Sequence, residues 1–374
     1  MSNMFYECSS LTDLNLSNFD TSQVSVMKFA FARCYSLSSV DLSNFNTIYV
    51  KDFHNLFSHC SSLISLDLDN FNTSNAIDMK NMFYNYSKLI SLKINNFNTS
   101  LIANISKMFK YVRWFATLNL RSFDTSDIVY MDETFFGCNS LKSLDLANFD
   151  TSKGQNMSHL FYGCYSLISL DISSFDTSSV KILNNMFYNC SSLNSLNLNH
   201  FDTKSLLEMK YMFYNCSSLK NLEIDNFNTS SVITLDYTFY NCHSLLTLNL
   251  TKWDTSSLIG FNYTFTYCQL LKSIDLRNFN TSLVQSMQNL FGYCSSLESL
   301  DLSNFNTSST EQMKFMFQYC SSLKFVDISS FDTSKVTRMS DMFRRCVSLT
   351  SFDLSNFNIS SVNYLGFFLA DVNL

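Results

Sequence analysis

At 374 residues and 46% hydrophobic content, the chain is long enough for two or three globular domains and apolar enough for a continuous core. Its net charge of −6 is dispersed and contains no basic run, which argues against a nucleic-acid or anionic-membrane partner. No apolar run approaches the roughly 20 residues of a membrane span, and no secretory-leader pattern follows Met1.

From Phe5 onward one phenylalanine returns every 26 residues, at Phe31, Phe57, Phe83 and so on to Phe343, fourteen copies without insertion or deletion. A second aromatic column runs from Phe19 to Phe357, with Trp253 as its variant. A threonine column runs from Thr21 to Thr333 and closes on Ile359, and the leucine column that begins at Leu11 is interrupted at Phe115. An unbroken period means that each coil fills the same space as its neighbours, which is the mark of a solenoid. It replaces the multi-domain expectation with a single array, 1–374, of about fourteen 26-residue units. Met1 stands in the column of Met27 and Met79, and Leu374 also falls partway through a unit. Neither end carries the polar cap a solenoid needs, so the sequence reads as a fragment of a longer protein. Proline is absent and glycine scarce, which leaves no linker.

Within a unit, Leu193, Leu196 and Leu198 give the spacing L-x-x-L-x-L, and outward Asn197 between the last two predicts a short strand. Stacked coils place these strands side by side in a parallel sheet. The polar run Asn199 to Thr203 surrounds Phe201, and Asp202 and Thr203 are suited to a turn and a helix start. Leu206, Met209, Met212, Phe213 and Cys216 then fall on a helix-type stripe, which predicts a short helix of about ten residues, partly 3-10 in character. The expected unit is strand, turn, short helix and tight return.

The twelve cysteines share one column, with Tyr86 and Val112 in the two remaining places. Ligands spaced 26 apart do not make a zinc site, and Val112 points to a small, buried apolar position. Between the strand leucines stands an acidic ladder of Asp41, Asp67, Asp145, Asp171, Glu223, Asp275, Asp301, Asp327 and Asp353, with Lys93 its basic member. Stacked like charges suggest a cation or a basic partner; a solvated, salt-screened face is the plainer alternative. The neighbouring serine column has no histidine column to activate it, so enzymatic activity is not expected. His54 and His59 share a unit beside Cys60, a weak pattern for a metal. Tyr84, Tyr162, Tyr188, Tyr214 and Tyr240 follow the phenylalanine column, then shift one place to Tyr267, Tyr293 and Tyr319. They form either an interface edge or a cover for the next coil. One unit departs from the pattern: Arg113 and Trp114 replace the two outward serines, as a binding hot spot or as drift in a single repeat. Asn-Thr-Ser triplets such as those at Asn72 and Asn228 are by-products of the repeat.

The run Met316 to Ser334, with Phe317, Cys320, Leu323, Phe331 and Thr333 in their columns, resembles the BspA-like leucine-rich repeat in its 26-residue variety. The resemblance covers essentially the whole chain, and Tyr86 and Val112 to Phe115 are where it departs. It implies an α/β repeat solenoid of leucine-rich-repeat type, with a parallel β-sheet on one face and short helices or 3-10 turns on the other. It also implies a cell-surface or secreted protein that binds host matrix proteins or other cells, without cofactor or shared catalytic residues. The leading expectation is therefore a non-enzymatic binding scaffold of adhesin type with a protein ligand. An intracellular protein-interaction solenoid and a divalent-cation-binding solenoid built on the aspartate ladder are the alternatives. The residues expected at a binding surface are Arg113, Trp114, Asp145, Asp171, Glu223, Asp275, Asp301, Asp327, Tyr162, Tyr188, Tyr214 and Tyr240.

Overall fold

The computed structural model describes residues 1–351 and 353–372; Leu374, where the last unit is cut, lies outside them. The chain forms two compact units, Met1–Ser179 and Val180–Leu374. Each is a parallel β-solenoid in which one sequence repeat makes one coil.

In Met1–Ser179 the strands are β1 (Ser65–Asp67), β2 (Ser91–Lys93), β3 (Ser143–Asp145) and β4 (Ser169–Asp171). β1 pairs with β2 and β3 with β4, both parallel, with Leu66 opposite Leu92 and Leu144 opposite Leu170. In Val180–Leu374, β5 (Ser195–Asn197) pairs with β6 (Asn221–Glu223), and β7 (Ser299–Asp301) with β8 (Phe325–Asp327). The central residue of each strand faces the core and its neighbours face solvent, the alternation a half-buried sheet imposes. Among the described residues the ladder is not one continuous sheet. It consists of these pairs, and elsewhere single bonds link neighbouring coils, such as the Lys142 N–H donating to the Ala116 carbonyl at 3.0 Å.

The expected helix is absent. Leu206, Met209, Met212, Phe213 and Cys216 are buried as the stripe requires, yet no described residue is in an α- or 3-10 helix. Two positions in this stretch, Tyr211 (φ 58°) and Asn215 (φ 57°), are left-handed, and the same two columns are left-handed throughout the chain. A left-handed residue cannot continue a right-handed helix. The backbone instead divides its N–H groups between two tasks. Met212, Tyr214 and Cys216 close tight turns onto the carbonyls of Met209, Tyr211 and Phe213 at 3.1–3.2 Å. Tyr211, Phe213 and Asn215 donate across to Asp236, Thr238 and Tyr240 of the next coil at 2.7–3.2 Å. A helix would satisfy its own groups and leave the next coil unbonded; this conformation binds the coils together. Inward positions in successive turns recur at nearly the helical spacing, so the apolar stripe does not distinguish the two.

The core consists of ladders of identical side chains. The first phenylalanine column stacks face to face, with Phe31 on Phe57 at 5.2 Å and Phe213 on Phe239 at 5.7 Å. The buried threonine column joins coils by paired bonds: Thr73 Oγ1 donates to the Asn98 carbonyl at 2.9 Å and accepts from the Asn98 N–H at 2.7 Å. Cysteine is more than an apolar filler here. Cys216 Sγ donates to the Phe187 carbonyl at 3.1 Å and Cys294 Sγ to the Phe265 carbonyl at 3.0 Å. Val112 in the same column is buried without such a bond, which agrees with the apolar character of the site.

Candidate functional site

The acidic ladder is placed by the corner where the strand ends. Asp145 Oδ1 accepts from the Ala147 N–H at 3.1 Å, Asp275 from Arg277 at 3.1 Å, Asp301 from Ser303 at 3.0 Å and Asp327 from Ser329 at 3.0 Å. Asp171 does the same with Ser173 at 3.0 Å. Each is an Asx-turn, in which a short carboxylate satisfies a backbone donor two residues on. Asn119, Asn197 and Asn249 make the same turn without a charge, so the column selects for the acceptor oxygen rather than for the negative charge. Glu223 is too long for the turn and instead accepts from Asn197 Nδ2 at 2.6 Å. Counter-charges reduce the repulsion: Lys93 Nζ lies 2.7 Å from Asp67, and Arg277 lies 2.8 Å from Asp275. The bond from Arg277 holds the Asp275 carboxyl down to about 2, and bonds from Ser303 depress Asp301. Among the described residues no three His, Cys, Asp or Glu side chains converge as a metal ion requires.

The tyrosines from Tyr188 to Tyr319 form one contiguous block. Tyr188, Tyr214 and Tyr240 stack face to face at 4.4 and 4.6 Å with rings 2–3° from parallel. Beside them runs a ladder that the sequence reading did not single out, Tyr211, Tyr237 and Tyr263, at 4.7 and 4.6 Å. The two ladders meet at an angle, with Tyr211 edge-on to Tyr214 at 5.8 Å and Tyr237 tilted against Tyr240 at 5.7 Å. The block continues through Tyr240 to Tyr267 at 5.5 Å and then Tyr293 and Tyr319 at 4.4 and 4.6 Å. All of these rings are half-buried. Burial and the neighbouring Tyr214 push the Tyr240 phenol up to about 12, so it remains a hydrogen-bond donor at neutral pH. The missed ladder was detectable in principle, because its members also recur every 26 residues, three places before the ladder that was identified. In Met1–Ser179, Tyr162 stacks on Phe136 at 4.2 Å.

Arg113 and Trp114, also in Met1–Ser179, both face solvent. The Trp114 side chain is 57% exposed, whereas Trp253 is 1% exposed. The Trp114 indole N–H donates to the Ser87 carbonyl one coil back, and the Arg113 guanidinium lies 5.4 Å over the Tyr111 ring. The sequence-selected residues thus fall into a strand-end ladder whose aspartates are committed to turns, a tyrosine block in Val180–Leu374, and, in Met1–Ser179, Tyr162 on Phe136 and an Arg–Trp corner.

Solved structures similar to the chain include a leucine-rich repeat protein from Bacteroides ovatus, 21% identical, covering 90% of this chain and 86% of that one, with a TM-score of 0.43. A leucine rich cell surface protein from Faecalibacterium prausnitzii is 15% identical, covering 87% and 75%, with a TM-score of 0.37. A leucine-rich repeat protein from Eubacterium ventriosum is 14% identical, covering 87% and 80%, with a TM-score of 0.38. Among curated proteins, none matches the sequence. A family model, "Mycoplasma protein of unknown function, DUF285", matches residues 1–92, 79–195, 165–275, 234–325 and 259–373. These overlapping matches follow the repeats over nearly the whole chain, in agreement with the phenylalanine, cysteine, leucine and threonine columns. The chain belongs to this DUF285 family, and its 26-residue coils are leucine-rich repeats of the BspA-like kind.

Proposed function

We propose that the chain is a non-enzymatic binding scaffold, an adhesin-type protein of the cell surface or secreted space that engages a protein on a host or neighbouring cell. The observation that carries this reading is the tyrosine block of Val180–Leu374. Tyrosine offers a large contact area at low entropic cost. Rings already fixed by stacking at 4.4–4.7 Å lose little further freedom when a partner covers them. The non-enzymatic part is supported by the regular polar columns, whose threonine, cysteine and aspartate groups bond the backbone. The BspA-like resemblance supports the surface location. Burial of eleven of the cysteines suits either side of a membrane, so an intracellular interaction solenoid is the second reading.

The test is flow cytometry of labelled full-length chain on candidate host cells, comparing wild type with the Tyr214→Ser, Tyr240→Ser double variant. The same column carries Ser58 and Thr266 elsewhere, so the fold tolerates small polar residues there. Binding should fall at least tenfold with the circular dichroism spectrum unchanged; equal binding would remove the block as the contact surface. Protease treatment of intact producing cells separates the two locations, since only a surface protein is digested.

A further inference from the structure

We propose a second binding surface, on Met1–Ser179, that takes an extended peptide segment of a partner protein bearing both acidic and apolar side chains. It goes beyond the tyrosine block and does not depend on it.

The surface lies at the corner where each coil leaves its left-handed stretch and enters the strand. Around Trp114 this corner holds large apolar side chains in solvent: Ile64 is 50% exposed, Ile90 64%, Trp114 57%, Tyr165 43% and Ile168 50%. Backbone bonds keep their coils in register, with the Ile90 N–H donating to the Ile64 carbonyl and the Ile168 N–H to the Lys142 carbonyl, both at 2.9 Å. Exposed apolar side chains thus stand on four of the five corners, and exposed apolar groups gathered on one face mark interaction sites. The Trp114 ring is held over the preceding coil by its bond to the Ser87 carbonyl, so it is positioned before any partner arrives.

Charge identifies the partner. Over the five corners, residues 61–64, 87–90, 113–116, 139–142 and 165–168, there is no Asp or Glu, while Lys88, Arg113 and Lys142 are present. This local excess of three cations stands in a chain of net charge −6. None of the three forms an ion pair among the described residues, whereas Lys107 and Lys110 of the same region are both held by Glu133. Further along the strand, Asp67 is paired with Lys93 and Asp145 with Arg121, so these two carboxylates are engaged away from the corner. Unpaired cations beside exposed apolar rings are matched by carboxylates alternating with apolar side chains. Coils spaced about 4.8 Å apart give five corners a span of about 19 Å, the length of roughly six extended residues.

Trp114 supplies its own readout, because Trp253 is buried and silent to surface events. The full chain is titrated with a capped octapeptide of alternating leucine and glutamate. The Trp114 emission should shift to the blue, its quenching by iodide should fall, and affinity should weaken as salt is raised. The Lys88→Ser, Arg113→Ser double variant should bind at least tenfold more weakly. Serine is the usual residue in both columns, so the repeat remains intact. Equal binding of a leucine–lysine octapeptide, or undiminished binding by the double variant, would overturn the proposal. No response to the acidic peptide would overturn it as well, and a response confined to phosphatidylglycerol vesicles would assign the surface to a membrane instead. None of these outcomes bears on the tyrosine variant in the cell-binding assay, so the two readings fail separately.

Discussion

At the scale of single residues, identical side chains form ladders because each bonds or stacks on its counterpart's coil. Thr73 shows the economy of this arrangement, with one buried hydroxyl satisfying both the N–H and the carbonyl of Asn98. Thr73→Val keeps the shape and leaves both groups without that partner, at a cost of roughly 1–3 kcal/mol. Urea denaturation of the purified variant should show that loss, and an unchanged midpoint would mean that the bridge contributes nothing net. The cysteine column follows the same logic. Burial pushes the Cys34 thiol up to about 11 and Cys216 to about 12, and the reactive thiolate is absent at neutral pH. Cys8 alone is exposed. A thiol reagent should therefore modify one cysteine quickly in the native chain and all twelve in urea; rapid modification of several in the native state would contradict the burial.

At the scale of the element, the strand and its corner were legible in the sequence and the left-handed stretch was not. Leu196 and Leu198 alternate with outward Asn197, a period that only a strand produces. The run from Leu206 to Cys216 places apolar residues where a helix would also place them, so periodicity could not separate helix from successive turns. The available signal was residue type: Asn55, Asn81, Asn185, Asn215 and Asn241 stand at left-handed positions, which asparagine tolerates better than most residues. Asn81 (φ 56°) tests the strain directly. Asn81→Gly should be neutral or stabilising, and Asn81→Val should cost about 1–2 kcal/mol, because a β-branched side chain is least able to adopt this conformation. Equal midpoints for the two variants would show that the strain is not real. The strand-end aspartates carry a pH dependence. The Asp301 carboxyl is lower in the fold than in the unfolded chain, and Asp275 is held at about 2. Their contribution is present above the ordinary carboxylate range and is lost as pH falls through the folded values. The urea midpoint should be flat above about pH 5 and decline below about pH 4. Asp301→Asn preserves the turn acceptor, as Asn249 does naturally, and should lessen the decline.

At the scale of the molecule, a coil contacts only its neighbours, so its stability is set by the two interfaces it makes. The sequence revealed this through its unbroken 26-residue period, and it marked Arg113 and Trp114 as a pair of large side chains replacing both outward serines. It did not reveal that Lys88 and Lys142 share that corner, because residues a full period apart become neighbours only when the coils stack. Nor did it show that two tyrosine ladders meet, since that depends on how the left-handed turns orient their rings. The nearest-neighbour rule has a measurable consequence within Val180–Leu374. Phe265 stacks between Phe239 at 5.6 Å and Phe291 at 5.5 Å. Phe265→Ala removes both contacts and opens a cavity, at a cost of about 3–5 kcal/mol. Hydrogen exchange followed by mass spectrometry should show the greatest loss of protection in the coils of Phe239, Phe265 and Phe291. The loss should decrease coil by coil toward Phe187 and Phe343, because each interface transmits only part of the perturbation. Uniform loss across Val180–Leu374 would instead mean that this unit opens as one cooperative body, and the additive picture of coils would fail there.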